Sequence, residues 1–289
     1  MSVAVVNLRK KFGSIVAIDG VNLTASRGET IALVGPNGAG KTTLLKIMSG
    51  ILKPDEGKVL INGEESTSSR AKRSVGFMTP MDRGVYWRLT AIDNLVFFGT
   101  LYGLSISEAR RRAREILELM GLDDRANNRV ATFSTGMMRR LELGRALMHD
   151  PDVLLLDEPT SGIDVDGKRK IMDYIRILRD KLVIIASHDP QEISLASRVL
   201  YFNKKIVEES GPLKIVKILV KGRLIVGNDG FRVINVGDNE FLLEMDINRF
   251  SSFIRESSNY LEGDILDIDV EVASEGRIMK RRWGEHGIN

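Results

Sequence analysis

Residues 35–43 read Gly35-Pro36-Asn37-Gly38-Ala39-Gly40-Lys41-Thr42-Thr43. The stretch before them, Glu29-Thr30-Ile31-Ala32-Leu33-Val34, is apolar and partly β-branched, which predicts a buried strand. The stretch after them, Leu44-Leu45-Lys46-Ile47-Met48, has helical character and stops before Gly50, a C-terminal cap. Strand, glycine-rich loop and helix together fit the phosphate-loop pattern GxxxxGK[ST]. Glycines let the backbone curl so that successive N–H groups face phosphate oxygens, and the positive helix end adds to the attraction. Lys41 is expected to reach the terminal phosphates and the Thr42 hydroxyl to sit on Mg²⁺. A glycine-rich turn with an incidental lysine is the bland alternative, but it does not explain the strand before the loop or the helix after it.

Composition sets the outer bounds. With 289 residues the chain can bury a proper core in one large domain or two. Apolar content of 43% and charged content of 28% are ordinary for a globular protein, and no apolar run approaches the roughly 18 residues of a membrane span. The first residues, MSVAVVNLRKKFG, lack a signal-peptide layout, so a cytosolic chain is expected. The absence of cysteine excludes disulfides and thiolate metal sites. A net charge of +3 is too small to argue for nucleic acid, and none is expected as a partner. The basic cluster Arg110-Arg111-Arg112-Ala113-Arg114 lies among Glu108 and Glu115 in a helical pattern. It reads as a solvated helix face, with an anionic partner or membrane surface as the alternative.

Along the chain, Val3–Leu8 and Val16–Leu23 alternate and suit short antiparallel strands. Val59–Gly63 and Ser74–Met78 are further strand candidates. From about 85 to 150 the pattern turns helical, with Thr90-x-x-Asp93 and Ser105-x-x-Glu108 fitting capping boxes. Val153–Leu156 and Leu182–Ala186 look like central parallel strands buried on both faces, with 167–180 as a crossover helix. After about residue 210 the character changes. Phe231–Val236 and Glu240–Met245 flank Gly237-Asp238-Asn239, a hairpin signal. Ile247, Phe250, Phe253 and Ile254 share one helical face, and Leu266, Ile268, Val270 and Val272 alternate as in a half-buried strand. The expected division is a domain at 1–212 and a small α/β domain at 213–289 without chemistry of its own.

The strand Val153-Leu154-Leu155-Leu156 ends in two adjacent carboxylates, Asp157 and Glu158. Strand side chains alternate, so the pair is expected to point differently at the strand tip. Asp157 suits Mg²⁺, directly or through water, and Glu158 suits polarising an attacking water. Two surface acids after a core strand are the competing reading.

With these motifs in order, the chain resembles the nucleotide-binding subunit of an ABC transporter. The phosphate loop is similar to that family's Walker A motif, and Leu154 to Asp164 to its Walker B motif and D-loop. Phe133-Ser134-Thr135-Gly136-Met137 resembles the signature motif at a helix start, and Ser187-His188-Asp189 the switch histidine after a strand. Lys10-Lys11-Phe12-Gly13 occupies the place of the aromatic that stacks on adenine. The resemblance covers roughly residues 3–210. It implies an α/β P-loop NTPase with an antiparallel β subdomain and a helical subdomain, here followed by the C-terminal extension. It also implies ATP and Mg²⁺ as ligands, with Ser134, Gly136 and Asp164 added to the nucleotide-binding set, and a catalytic role for His188 beside Glu158.

The implied partners are an integral-membrane permease and a second copy of the chain. In such a head-to-tail pair each signature lies on the other chain's ATP. The implied place is the inner face of the cell membrane. Two departures stand out. The signature has Thr135 and Met137 where the family has glycine and glutamine, and the Q-loop glutamine is replaced, by spacing, near Pro80. Tyr86-Trp87-Arg88-Leu89-Thr90 resembles the subgroup that drives exporters of drugs and polysaccharides. Two other functions stay open on sequence: a soluble ATPase of the same family without a transport role, and a nucleotide-dependent regulator that does not hydrolyse.

Overall fold

In the computed structural model, residues 2–79, 84–210, 214–224, 231–237, 239–246 and 261–272 are described. They fall into two compact units, one of residues 1–188 and 195–209, the other of 189–194 and 210–289.

The first unit opens with β1 (Val3–Phe12) and β2 (Ile15–Ala25). They pair antiparallel across a tight turn, with Phe12 opposite Ile15. β3 (Thr30–Val34) and α1 (Lys41–Met48) bracket the phosphate loop. β4 (Glu56–Ile61) and the short β5 (Glu64–Glu65) complete a four-stranded sheet in the order β2-β1-β4-β5. A short helix, α2 (Ser69–Arg73), leads into β6 (Val75–Met78).

The helical region holds α3 (Ala91–Leu101), α4 (Ile106–Leu119) and α5 (Thr135–Leu147). Both helix starts are capped, but only one as a full box: Thr90 accepts from the Asp93 N–H while the Asp93 carboxylate accepts from the Thr90 hydroxyl, whereas Ser105 and Glu108 satisfy each other's backbone N–H groups. The Arg111 guanidinium pairs with Glu115 at 2.6 Å, as a solvated helix face would have it. Fully buried Asn94 has its amide satisfied, accepting from the Tyr86 N–H and donating to the Tyr86 and Thr90 carbonyls. This pins the segment Tyr86–Thr90 to α3. Arg140 donates to the Met120 and Gly121 carbonyls, so α5 caps the C-terminal end of α4.

The chain then enters β7 (Val153–Asp157), α6 (Val165–Ile177), β8 (Leu182–Ala186), α7 (Pro190–Ile193), β9 (Arg198–Asn203) and β10 (Lys205–Ser210). A six-stranded sheet runs β10-β9-β3-β8-β7-β6, with parallel pairing from β9 to β6. Every residue of β7 and β8 is buried. Their alternation divides two cores. Val153, Leu155, Leu182 and Ile184 face one hydrophobic cluster; Leu154, Leu156, Val183 and Ile185 face the other. Each such side chain contributes about 1.5–3 kcal/mol of burial, so the sheet's two faces hold the unit together. Among the described residues no helix is long and apolar enough to cross a membrane.

The second unit contains β11 (Lys214–Leu224), β12 (Phe231–Gly237), β13 (Glu240–Asp246) and β14 (Leu261–Val272), in the order β12-β13-β11-β14. The β12–β13 hairpin and the β14 strand appear where alternation and turn chemistry put them. The helical face of Ile247, Phe250, Phe253 and Ile254 lies outside the described residues, as does Pro80. Sequence patterning does not reveal α2, β9, β10 or β11.

Candidate functional site

The strand order explains why distant residues meet. β3, β8 and β7 are parallel neighbours, so the segments leaving their C-terminal ends emerge side by side. Those segments are the phosphate loop, Ser187-His188, and Asp157-Glu158. In open α/β sheets this edge is where ligands bind.

The loop's glycines have measurable reasons. A Cβ on Gly35 would lie 1.9 Å from the Phe202 carbonyl oxygen, and one on Gly40 would lie 2.2 Å from that of Ala17. Gly40 also has φ of 98° at the N-cap of α1, a conformation that glycine adopts freely. The Lys41 side chain is buried and donates to the Gly35 and Pro36 carbonyls. Its ammonium lies 3.2 Å from His188 Nε2. One residue on, the Thr42 hydroxyl donates to Asp157 Oδ2 at 2.7 Å. Burial lifts the Asp157 carboxyl above the ordinary aspartate range; the Thr42 hydrogen bond and the charges of Lys41, Lys46 and His188 oppose this.

Glu158 leaves the strand with φ of 50°, in the left-handed region. Its N–H donates to the Ala186 carbonyl, and its own carbonyl accepts from the Ser161 N–H. The turn directs Glu158 Oε1 to 3.3 Å from His188 Nε2. The histidine therefore touches both the phosphate-loop lysine and the second carboxylate.

A cleft of about 410 Å³ lies over these groups. It is lined by Phe12, Pro36, Asn37, Gly38, Ala39, Gly40, Lys41, Thr42, Thr43, Asp157, Glu158 and His188. Phe12 is 49% exposed, with the Lys10 ammonium 5.5 Å from its ring centroid. Ile15, Val16, Ala17, Lys46, Thr79 and Lys204 line the cleft as well. Sequence reasoning did not single these out. The Thr42 hydroxyl and Asp157 carboxylate form a small set of hard oxygen donors. That suits Mg²⁺, which takes one or two protein oxygens and completes its shell from phosphate and water. No group of three or more His, Cys, Asp or Glu side chains that could hold a metal by itself occurs among the described residues.

Gly35, whose carbonyl accepts from Lys41, does not itself line the cleft, and three further candidates stand apart from it. Ser134 is the N-cap of α5 and accepts from the Met137 N–H at 3.2 Å. Gly136 is the second residue of that helix, and a Cβ there would lie 3.5 Å from Asp164 Oδ1. Asp164 caps α6, accepting from the Gly167 N–H. The three form a second cluster, built from two helix N-termini.

Comparison with known proteins gives a consistent picture. A family model described as "ABC transporter" matches residues 18–161. The linearmycin resistance ATP-binding protein LnrL of Bacillus subtilis is 39% identical over 65% of this chain, which spans 61% of that protein's length. The ABC transporter ATP-binding protein NatA of the same organism is 35% identical, with 68% of this chain and 82% of NatA covered. The sulfate/thiosulfate import ATP-binding protein CysA of Bradyrhizobium diazoefficiens is 38% identical, covering 73% of this chain and 64% of CysA. Among solved structures, the dimeric ATP-binding cassette MJ0796, in a post-hydrolysis state with ADP and Pi, superposes with a TM-score of 0.67. It is 29% identical and covers 72% of this chain and 98% of its own.

Proposed function

The chain belongs to the ABC transporter ATP-binding family, and from that premise we propose that it binds and hydrolyses ATP to power a separate membrane permease. The observation that carries the reading is one cleft lined by Lys41, Thr42, Asp157, Glu158 and His188. Phosphoryl transfer needs charge neutralisation and an aligned water more than covalent chemistry, and these side chains are of the right kinds. Lys41 neutralises the terminal phosphates. Thr42 and Asp157 hold Mg²⁺, which supplies charge neutralisation to the phosphates when bound. Glu158 orients and deprotonates the attacking water. His188, within 3.3 Å of Glu158 and 3.2 Å of Lys41, bridges the base and the phosphate end.

Ser134, Gly136 and Asp164 complete the site from a second copy of the chain. Both clusters are fixed in one protomer, and a head-to-tail pair sets each signature helix against the other's nucleotide. MJ0796, a dimer with ADP and Pi, is the relative that supports this arrangement. ATP then favours the closed pair and hydrolysis releases it. We place the protein on the cytoplasmic face of the membrane, bound to its permease. Export is the preferred direction, from the Tyr86–Thr90 segment and the resistance relative; similarity to an import protein keeps uptake as the second reading. Phosphate release by the purified chain tests the ATPase. Co-purification with a membrane protein separates a transporter subunit from a soluble ATPase, and transport into or out of vesicles by that complex assigns direction.

Phe12 supplies a ring face for adenine, being half exposed at the cleft wall. Phe12→Ala is expected to raise the ATP dissociation constant about tenfold, the cost of roughly 1.4 kcal/mol of stacking, with turnover at saturation unchanged. An unaltered dissociation constant would remove Phe12 from the site.

The second unit lacks any of the clustered groups above. A chain ending near residue 212 is expected to bind ATP with the full-length affinity. That chain keeps α7, which groups with the second unit although it directly follows His188. A soluble, folded truncation that no longer binds ATP would show that the extension completes the site.

A further inference from the structure

Among the described residues, the non-glycine positions with positive φ are Asn7, Asn62, Asp150, Glu158, Lys204 and Asn239. Asn and Asp tolerate the left-handed region because their short polar side chains bond locally. Glu158 and Lys204 have no such excuse, and both line the nucleotide cleft. Residues held in disfavoured backbone conformations concentrate at functional sites.

Lys204 is the single residue between β9 and β10, with φ of 61°. Glycine or asparagine would join these strands with less strain. The backbone is fixed on both sides: its N–H donates to the Ala39 carbonyl at 2.8 Å, and its carbonyl accepts from the Asp19 N–H at 2.8 Å. The turn is thereby tied to the phosphate loop and to β2. The side chain is exposed and, among the described residues, takes part in no ion pair or side-chain hydrogen bond. Among the described residues no bond of the fold uses the lysine side chain, and residue 204 lines the cleft.

We propose that Lys204 is a nucleotide-binding residue that contacts the base–ribose–α-phosphate half of the ligand. Its place follows from its neighbours. Phe12, Ile15, Val16 and Ala17 form the β1–β2 wall of the cleft, and Asp19, the bonding partner of Lys204, lies further along that same strand β2. Lys41, Glu158 and His188 cluster with one another instead, at the terminal-phosphate end. An ammonium on a four-carbon stem at the β2 side meets an α-phosphate oxygen or a lone pair of the purine or ribose. ATP and ADP share those atoms. The inference rests on the nucleotide reading of the cleft.

The variant Lys204→Gly separates binding from structure, because it removes the ammonium and also relaxes the turn. Calorimetric titration of the full-length variant is expected to show ATP and ADP dissociation constants both raised about three- to tenfold. Its Tm is expected to equal or exceed that of the unsubstituted protein. Lys204→Arg keeps the cation and is expected to bind both nucleotides within about twofold of the unsubstituted protein. Unchanged affinities in Lys204→Gly overturn the proposal. So does a loss confined to ATP, which would place the lysine at the terminal phosphate. A lowered Tm accompanying weaker binding would make Lys204 a structural residue and also overturn it. If the unsubstituted protein binds neither nucleotide, the reading of the cleft falls, and this inference falls with it.

Discussion

Glu158→Gln is expected to keep ATP binding and to lower turnover by about 10²–10⁴, the range for loss of a general base. Glutamine has the shape of glutamate and still reaches His188, now 3.3 Å from Glu158 Oε1. It cannot take a proton from water. The neighbouring Thr42–Asp157 hydrogen bond is untouched, so the pair proposed to hold Mg²⁺ survives. The left-handed backbone at residue 158 is held by the Ala186 and Ser161 bonds, which any side chain keeps. A large fall in phosphate release should therefore come without a fall in Tm. The variant should also accumulate an ATP-bound dimer, visible as a shift in elution volume when ATP is present and absent with ADP. Near-normal phosphate release would take Glu158 out of the base role and leave its strained backbone to be explained otherwise.

Much of this chemistry is legible in the amino-acid sequence. Gly35, Gly38, Gly40 and Lys41 declare a phosphate loop because only that loop needs those residue types at that spacing. Val153–Leu156 reads as a strand buried on both faces, so Asp157 and Glu158 must sit at its tip. What the sequence does not carry is strand order. That β8 lies between β3 and β7 decides that His188 meets both Lys41 and Glu158, and order depends on long-range packing. The conformation of Glu158 is equally silent, since glutamate carries no preference for positive φ. Lys204 is hidden for both reasons together. Its neighbours Asn203 and Lys205 suggest no motif, and it reaches the loop only through the β9–β10 turn. β11 is hard to see although Ile215, Val216, Ile218 and Val220 are apolar, because interleaved lysines at 214, 217 and 221 blur its period.

The separation of Ser134, Gly136 and Asp164 from the cleft leads to the second large effect. Lys41→Ala and Ser134→Arg are each expected to abolish hydrolysis. The first removes the phosphate-loop cation; the second places a bulky charge at the N-cap of α5, where a small hydroxyl accepts from the Met137 N–H. Mixed under conditions of subunit exchange, the two are expected to recover activity. In a heterodimer one site joins an intact phosphate loop to an intact signature helix, and the other collects both defects. Random pairing makes about half of the dimers mixed, each with one good site of two, so recovery is roughly a quarter of normal hydrolysis if sites act independently. Coupling between sites lowers that figure, so dimer formation must be followed with turnover by tagging the two variants differently. Should tagged heterodimers form with ATP while phosphate release stays at the level of the separate variants, each active site lies within one chain. Ser134 and Gly136 would then be helix-cap residues only, and the dimer would need another purpose.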